Sequence, residues 1–336
     1  MRQQRFFFLI AVLIFSVSLL AQVPNAAPTK KALTGETSSK IFLKIPVWVE
    51  QEENNFWKDG KLQSFKVFLD GKEASIKSFQ TPNSSSIILI VFDTVSDSAR
   101  VDDARIALQE QFKELSSQYW IGLLKVQDGL SVLQEPTSDR KLLNEKIQEI
   151  QVNGNAGLLD SLELISQMAT AIMQKAAVRL SVLYVTDSGI GNYRADYLNP
   201  VINSSDSGDL SRRFSDRAIQ ERLSRLSQDL NQFTIPLYVL HLNHREDTLN
   251  LAYESGLESM AVQSGGQAVF CRTRDEISSA LNSLMGRLRA GYVLAVDQPN
   301  TKRNIVKVRI EAKSGDGTSL PGLTYTSQIY LRKNKR

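Results

Sequence analysis

Ile87-Ile88-Leu89-Ile90-Val91-Phe92 runs straight into Asp93-Thr94-Val95-Ser96-Asp97-Ser98. Six apolar residues without interruption read as a strand covered on both faces, because a half-exposed strand alternates. The polar stretch that follows marks the strand's carboxyl end. Downstream, Val101, Ala104, Leu108, Phe112 and Leu115 recur at helical spacing. Trp120 to Val126 is a second apolar strand and Leu130 to Leu133 a shorter one. Leu142, Leu143, Ile147 and Ile150 mark a second helix, and Leu158, Leu162, Ile165, Ala169 and Ile172 a third. Leu180 to Val185 is the next buried strand. A polar loop over 188–208 and a charged helix over about 209–232 then lead to a strand at Ile235 to Leu242. A helix over about 247–263, a short strand at Gln267 to Phe270 and a last helix carrying Ile277, Leu281, Leu284 and Leu288 complete the alternation. Thr273 with Glu276 three residues on is a capping-box pattern for that helix. This order predicts an α/β fold with a doubly wound, mostly parallel sheet and helices on both faces.

Outward from that block the pattern is β. Residues 41–49 are β-branched and aromatic, with Pro46 demoting the strand to an edge. Phe65 to Leu69 and Ala74 to Phe79 flank Asp70-Gly71, a hairpin signal because type I′ turns need positive φ. After Gly291 the helices stop, and Tyr292 to Val296, Ile305 to Ile310 and Tyr325 to Leu331 read as strands. The two ends are expected to pack together as a small β accessory layer, since an isolated hairpin is marginal in water. Trp48, Phe56 and Trp57 read as core at a seam between layers, or as a contact for a sugar or a protein.

At the start, Arg2 and Arg5 precede a run from Phe6 to Leu20, followed by Ala21. About fifteen apolar or small residues suit a signal peptide, whereas a membrane span usually needs about 20. The reading is a signal peptide over 1–21, with an uncleaved anchor as the alternative. A Pro/Ala/Ser/Thr-rich tether follows over 22–40. The remaining expected divisions are a β element at 41–82, the α/β domain at 84–291, and β strands with a basic tail at 292–336. No second apolar run of spanning length follows, so an exported protein, periplasmic or secreted, is expected.

Composition narrows the chemistry. The chain has 336 residues, 42% hydrophobic and 23% charged, with a formal net charge of +4. That surplus is too small and too dispersed to argue for nucleic acid. The one cysteine, Cys271, excludes an intrachain disulfide and a cysteine-based zinc cluster, and two histidines leave little for a histidine-rich site. Neither a nucleophile elbow nor a phosphate loop is present. His241, His244 and Asp247 give H-x-x-H-x-x-D, a weak zinc pattern off a helix, more simply read as solvated histidines. Arg272 and Arg274 beside Cys271 would lower its thiol pKa, against the simpler reading of a packed, inert thiol. Lys302, Arg303, Lys307 and Arg309, and Arg332 to Arg336, read as a solvated face and tail or as an attraction for anionic envelope surfaces.

In open parallel sheets, ligands bind beyond the carboxyl ends of the strands. Three segments converge there: Asp93 to Ser98, Gly154-Asn155-Ala156-Gly157 opening a helix with Asp160, and Thr186-Asp187-Ser188-Gly189. Their order and spacing resemble the von Willebrand factor A-like (VWA) family. That family carries D-x-S-x-S after its first strand, a threonine loop before a helix, and T-D-G after its fourth strand. Asn250-Leu251-Ala252, Gly265-Gly266-Gln267-Ala268, Gly291-Tyr292-Val293-Leu294 and Val67 to Ile76 are similar to a bacterial branch of VWFA-related secreted proteins. The resemblance covers about 41–296 and implies a metal-ion-dependent adhesion site. By position, Asp93 and Asp187 match its aspartates. Val95 and Asp97 stand where serines are expected, and Ala156 stands where the threonine is expected.

Two readings of the site follow. Asp93, Asp97 and Asp187 form a carboxylate-rich site for Mg2+ or Mn2+, since crowded carboxylates repel unless a cation neutralises them. Alternatively the metal is lost, no cofactor is used, and Asp93 and Asp187 cap backbone N–H groups. The expected function is non-enzymatic binding of another protein, without a small-molecule cofactor or nucleic acid. The candidate contacts are Asp93, Ser96, Asp97, Ser98, Asn155, Asp187 and Ser188. The alternatives are a divalent-cation-dependent hydrolase using Asp93, Asp97 and Asp187, or a structural assembly component.

Overall fold

The computed structural model describes residues 42–53, 55–176, 178–193, 220–221, 223–226, 235–301 and 303–331. The expectations for residues 1–21 and 22–40, most of 188–208 and 209–232, Lys302 and Arg332 to Arg336 lie outside the described residues. In chain order the elements are β1 (Phe42–Glu52), β2 (Asn55–Phe56), β3 (Phe65–Leu69), β4 (Lys72–Ala74), β5 (Ile76–Gln80), β6 (Ser86–Asp93), α1 (Ser98–Glu114), β7 (Tyr119–Lys125), β8 (Ser131–Thr137), α2 (Arg140–Gln148), α3 (Leu158–Lys175), β9 (Arg179–Thr186), β10 (Leu237–His241), α4 (Thr248–Gln263), β11 (Gln267–Phe270), α5 (Glu276–Ala290), β12 (Tyr292–Asp297), β13 (Ile305–Ala312), β14 (Leu323–Tyr325) and β15 (Gln328–Tyr330). Residues 220–221 and 223–226 are also helical.

The chain is mixed α/β. Six strands form a sheet in the order β11-β10-β9-β6-β7-β8. Its pairings are parallel except that of β7 with β8, which is antiparallel. The uninterrupted apolar run of β6 has a direct cause. Ile88, Ile90 and Phe92 pack with Leu108 and Phe112 of α1, Leu143 of α2 and Leu281 of α5. Leu89 and Val91, turned to the other face, pack with Leu162 of α3 and Leu257 of α4. Successive side chains point to opposite faces, so both sets must be apolar.

The remaining nine strands form two further sheets of antiparallel pairs, among the described residues. One runs β14-β1-β12-β5 with β2 against β1, the other β15-β13-β3-β4. A mostly parallel sheet therefore describes only part of the molecule, and the β layer is larger than the small accessory expected. Ile45, Val47, Leu294 and Val296 from one of these sheets share a core with Val67, Leu69, Val308 and Ile310 from the other. Asp70 (φ 48°) and Gly71 (φ 82°) make the tight turn between β3 and β4.

Pro46 does not mark an edge, because β1 lies between β14 and β12. The missing N–H is tolerated because β14 pairs only with Val47 to Val49, leaving no ladder on that flank at Pro46. Trp48 is buried against α5. Its indole Nε1 donates to Arg287 O at 2.9 Å, and the Arg287 guanidinium lies 5.2 Å from the Trp48 ring and 5.8 Å from that of Phe56. These aromatics are seam residues rather than a surface contact.

Candidate functional site

The site forms because β6 and β9 are neighbours. Asp93 pairs with Thr186 in register, and the Asp187 N–H donates to Asp93 O at 3.4 Å. Two aspartates distant in sequence thus meet at the carboxyl edge of the sheet, both without solvent exposure (0%).

Asp187 collects the loop that leaves β6. Its Oδ1 accepts from the Val95 N–H at 2.7 Å, and its Oδ2 accepts from the N–H groups of Ser96 at 2.9 Å and Asp97 at 2.6 Å. The Ser96 hydroxyl donates to the same Oδ2 at 3.1 Å. Three successive amides thus converge on one carboxylate, as in backbone anion nests. Asp93 is held otherwise. Its Oδ1 accepts from the Gly157 N–H at 2.9 Å, and its Oδ2 from the hydroxyls of Ser188 at 2.8 Å and Thr186 at 3.4 Å. Burial pushes the Asp93 carboxyl up to about 6. The Gly157 N–H and the Ser188 hydroxyl pull it down, and the Asp187 charge pushes it up. Gly157 permits the approach of the loop before α3, because a Cβ there would lie 1.9 Å from Val126 O.

The expected trio of Asp93, Asp97 and Asp187 does not assemble. Asp97 turns away as the N-cap of α1, where its Oδ1 accepts from the Arg100 N–H at 3.1 Å and its Oδ2 pairs with Arg100 Nε at 3.2 Å. That is the cheaper use of an aspartate here, since a helix N-terminus offers unpaired amides and positive potential. Arg100 continues across the rim to Leu242 O at 2.5 Å and Arg272 O at 2.8 Å. Of the other expected contacts, Ser96 and Ser98 are exposed and Ser188 is buried. Asn155 is half-buried and tied to Asp128 Oδ1 through its N–H at 3.1 Å and its side-chain amide at 2.6 Å.

Mg2+ demands near-octahedral oxygen ligands at about 2.0–2.1 Å, and the donor set here does not fit it. Position 95 is Val and position 156 is Ala, so neither side chain offers an oxygen. The carboxylates of Asp93 and Asp187 are engaged by N–H and hydroxyl donors, and Asp97 faces Arg100. Among the described residues no group of three or more His, Cys, Asp or Glu side chains could hold a metal ion.

A second polar network lies beside the first, and sequence reasoning missed it. His241 is buried at the end of β10 rather than solvated, and its Nε2 lies 2.9 Å from Ser188 O. Burial pulls its imidazole down to about 4. Glu254, inward on α4, pairs with His244 Nδ1 at 2.5 Å and accepts from the Arg245 N–H at 3.2 Å. Asn250 Oδ1 accepts from the Ile190 N–H at 2.9 Å, which pins the chain after Asp187. Asp247 caps α4 through the Asn250 N–H at 3.1 Å. The H-x-x-H-x-x-D pattern is therefore a scaffold for the rim rather than a ligand set. The readable signal was Glu254 itself, a charge at the inward spacing of Asn250 and Leu257. Gln127 was missed too; its Nε2 donates to Thr94 O and Thr94 Oγ1, both at 2.9 Å. Cys271 is fully buried, and burial pushes its thiol up to about 11, against the activation its arginine neighbours suggested. Among the described residues no helix is long and apolar enough to cross a membrane.

Neither a family model nor a curated protein sequence matches the chain. Solved structures do. The PilB minor pilin from Streptococcus sanguinis is similar at 12% identity over 65% of this chain and 63% of the pilin, with a TM-score of 0.45. This chain thus spans under two thirds of that protein. A von Willebrand factor type A structure from Catenulispora acidiphila is similar at 11% identity over 89% of this chain and 76% of that one, with a TM-score of 0.42. The vWF domain of the type V pili tip protein Mfa5 from Porphyromonas gingivalis is similar at 13% identity over 61% of this chain and 94% of that one, with a TM-score of 0.42. At such identities the likeness concerns fold alone. The chain is similar in fold to these structures, and it carries an aspartate at the carboxyl end of each of the neighbouring strands β6 and β9 and a glycine loop opening α3 between them in sequence.

Proposed function

We propose that the chain is an exported, non-enzymatic module that binds another protein through the rim loops at the carboxyl edge of the six-stranded sheet, without a metal ion. The observation that carries this reading is the hold of Asp187 on the amides of residues 95–97. It fixes a short loop from within, while Ser96 on it and Ser98 at the start of α1 stay exposed. A cation that bridges to a partner's carboxylate is unnecessary for a loop already ordered this way. A preformed loop also loses little conformational entropy on binding. Export rests on the run from Phe6 to Leu20, and N-terminal sequencing of the protein recovered from culture should begin near residue 22.

The test of the binding reading is a pull-down from cell-envelope extract with the whole chain immobilised, in magnesium and in EDTA. The same proteins should be enriched in both buffers and lost with the Ser96→Lys/Ser98→Lys variant. Enrichment of nothing, or release of the captured protein by EDTA, would falsify the proposal. Calorimetric titration with magnesium and manganese supplies the second arm, with no binding heat expected.

A further inference from the structure

The loop that leads into α3 contains Val152-Asn153-Gly154-Asn155, and Asn153 is the one asparagine of the chain followed by glycine. An asparagine holds its side-chain carbonyl carbon one ring closure away from the backbone nitrogen of the next residue. That proximity replaces an encounter in solution by an intramolecular step. Two things ordinarily restrain it: a side chain on the following residue, and a hydrogen bond that occupies that residue's N–H.

Neither restraint operates at this position. Gly154 has no side chain, and its N–H has no hydrogen-bond partner among the described residues. Asn153 and Gly154 are both exposed, so water reaches the pair. The fold also holds the glycine in place. Gly154 has φ 84°, and a Cβ there would collide with the Asp128 carboxylate, so no bulkier residue can shield the asparagine. Asn83 is the internal contrast. It is exposed too, but the residue after it is Ser84, whose N–H donates to Thr81 O at 2.9 Å.

We propose that Asn153-Gly154 is a self-modifying site, at which the Gly154 nitrogen attacks Asn153 Cγ and the asparagine becomes isoaspartate or aspartate. The nitrogen gives its proton to hydroxide, and the new C–N bond closes a succinimide. The side-chain nitrogen takes a proton from water and leaves as ammonia. One water then opens the ring. Attack at Cγ leaves aspartate. Attack at the main-chain carbonyl carbon leaves isoaspartate, with the chain rerouted through Cγ. Nothing is oxidised or reduced; one water is taken up and one ammonia released.

The product acts on the rim through Asp128. Its new carboxylate lies beside that of Asp128, and like charges repel. Asp128 Oδ1 holds Asn155 through its N–H at 3.1 Å and its side-chain amide at 2.6 Å, while the Asp128 N–H donates to Asn155 O at 3.2 Å. Two residues on, the Gly157 N–H donates to Asp93 Oδ1 at 2.9 Å. The extra main-chain atom of isoaspartate, placed just ahead of this clamp, loosens the start of α3 and the contact to Asp93. The chemistry needs only this loop, so it stands apart from the binding reading.

The experiment ages the whole chain at about pH 8 and 37 °C beside Asn153→Gln, whose longer side chain would have to close a larger ring. Peptide mapping by mass spectrometry, with enzymatic methylation to mark isoaspartate, should find conversion at residue 153 at least tenfold faster than at Asn83. Aged wild type should lose amide-exchange protection at residues 155–157 at least tenfold, and aged Asn153→Gln should keep it. The proposal is overturned if Asn153 stays intact while a free peptide of residues 150–157 converts, since the fold then shields the pair. It is also overturned if Asn83 converts as fast, or if aged wild type and aged Asn153→Gln exchange alike.

Discussion

Asp93 is a buried acid whose folded-state pKa lies near 6, against an ordinary value of 3.8. The folded protein binds this proton more tightly than the unfolded chain does. The group's contribution to stability is therefore fully present below about pH 4 and is lost as pH rises through about 6. The difference corresponds to ~3 kcal/mol at neutral pH. Asp93→Asn keeps an acceptor for the Gly157 N–H and turns the other contact into a donor to Ser188. It should be more stable than wild type by about 2–3 kcal/mol at pH 7.5, with the gap closing by pH 4. Urea denaturation across that range reads the difference directly. Asp187→Ala should act oppositely, because it strips the acceptor from three successive amides. A loss of about 3 kcal/mol is expected, with amide exchange at residues 95–97 losing protection. Asp93 and Asp187 were legible because each ends an apolar strand. The turn of Asp97 was not, because one aspartate can serve a ligand motif or an N-cap, and the choice here follows Arg100 three residues on. Of the Glu254 network only the inward spacing of Glu254 was readable; its assembly was not, because Ser188, His241 and Glu254 come from separate elements.

At the scale of elements, α3 begins where the Gly157 backbone passes under Val126 O. Gly157→Ala forces that start outward and breaks the amide contact to Asp93, so it should cost about 3 kcal/mol. Thermal unfolding of this variant against wild type provides the measurement, and an unchanged midpoint would show that the helix start adjusts freely. The strands β6, β7, β9 and β10 were legible because burial on both faces leaves a continuous apolar signature. β8 was legible only at its start, since Val132 and Leu133 give way to Gln134-Glu135-Pro136-Thr137. That half still pairs with β7, but on one side only, where polar residues and a proline are tolerated. The capping signal before α5 proved partly right. Glu276 opens the helix, and its carboxylate accepts from the N–H groups of Arg272 at 2.6 Å and Thr273 at 3.4 Å.

At the scale of the molecule, the seam between α5 and β1 is the most exposed to mutation. Trp48 is 2% exposed, bonded to Arg287 O and stacked against the Arg287 guanidinium. Trp48→Ala should cost about 3–5 kcal/mol and leave Arg287 without its aromatic face. Calorimetry should show the midpoint fall, and a wild-type-like midpoint would mean the seam is not tightly packed. That strands from both ends meet was readable from their patterning. The size of the β layer was not, because partners such as Val67 and Ile310 carry no local sign of each other. The pairing of β1 also has a consequence for biogenesis. Its flanking partners are residues 292–297 and 323–325, so the first described strand to leave the ribosome waits for segments about 250 residues later. Until then Ile45, Val47 and Val49 stay uncovered. A polypeptide stopped at residue 291 should accumulate as aggregate, whereas one running through residue 336 should stay in solution.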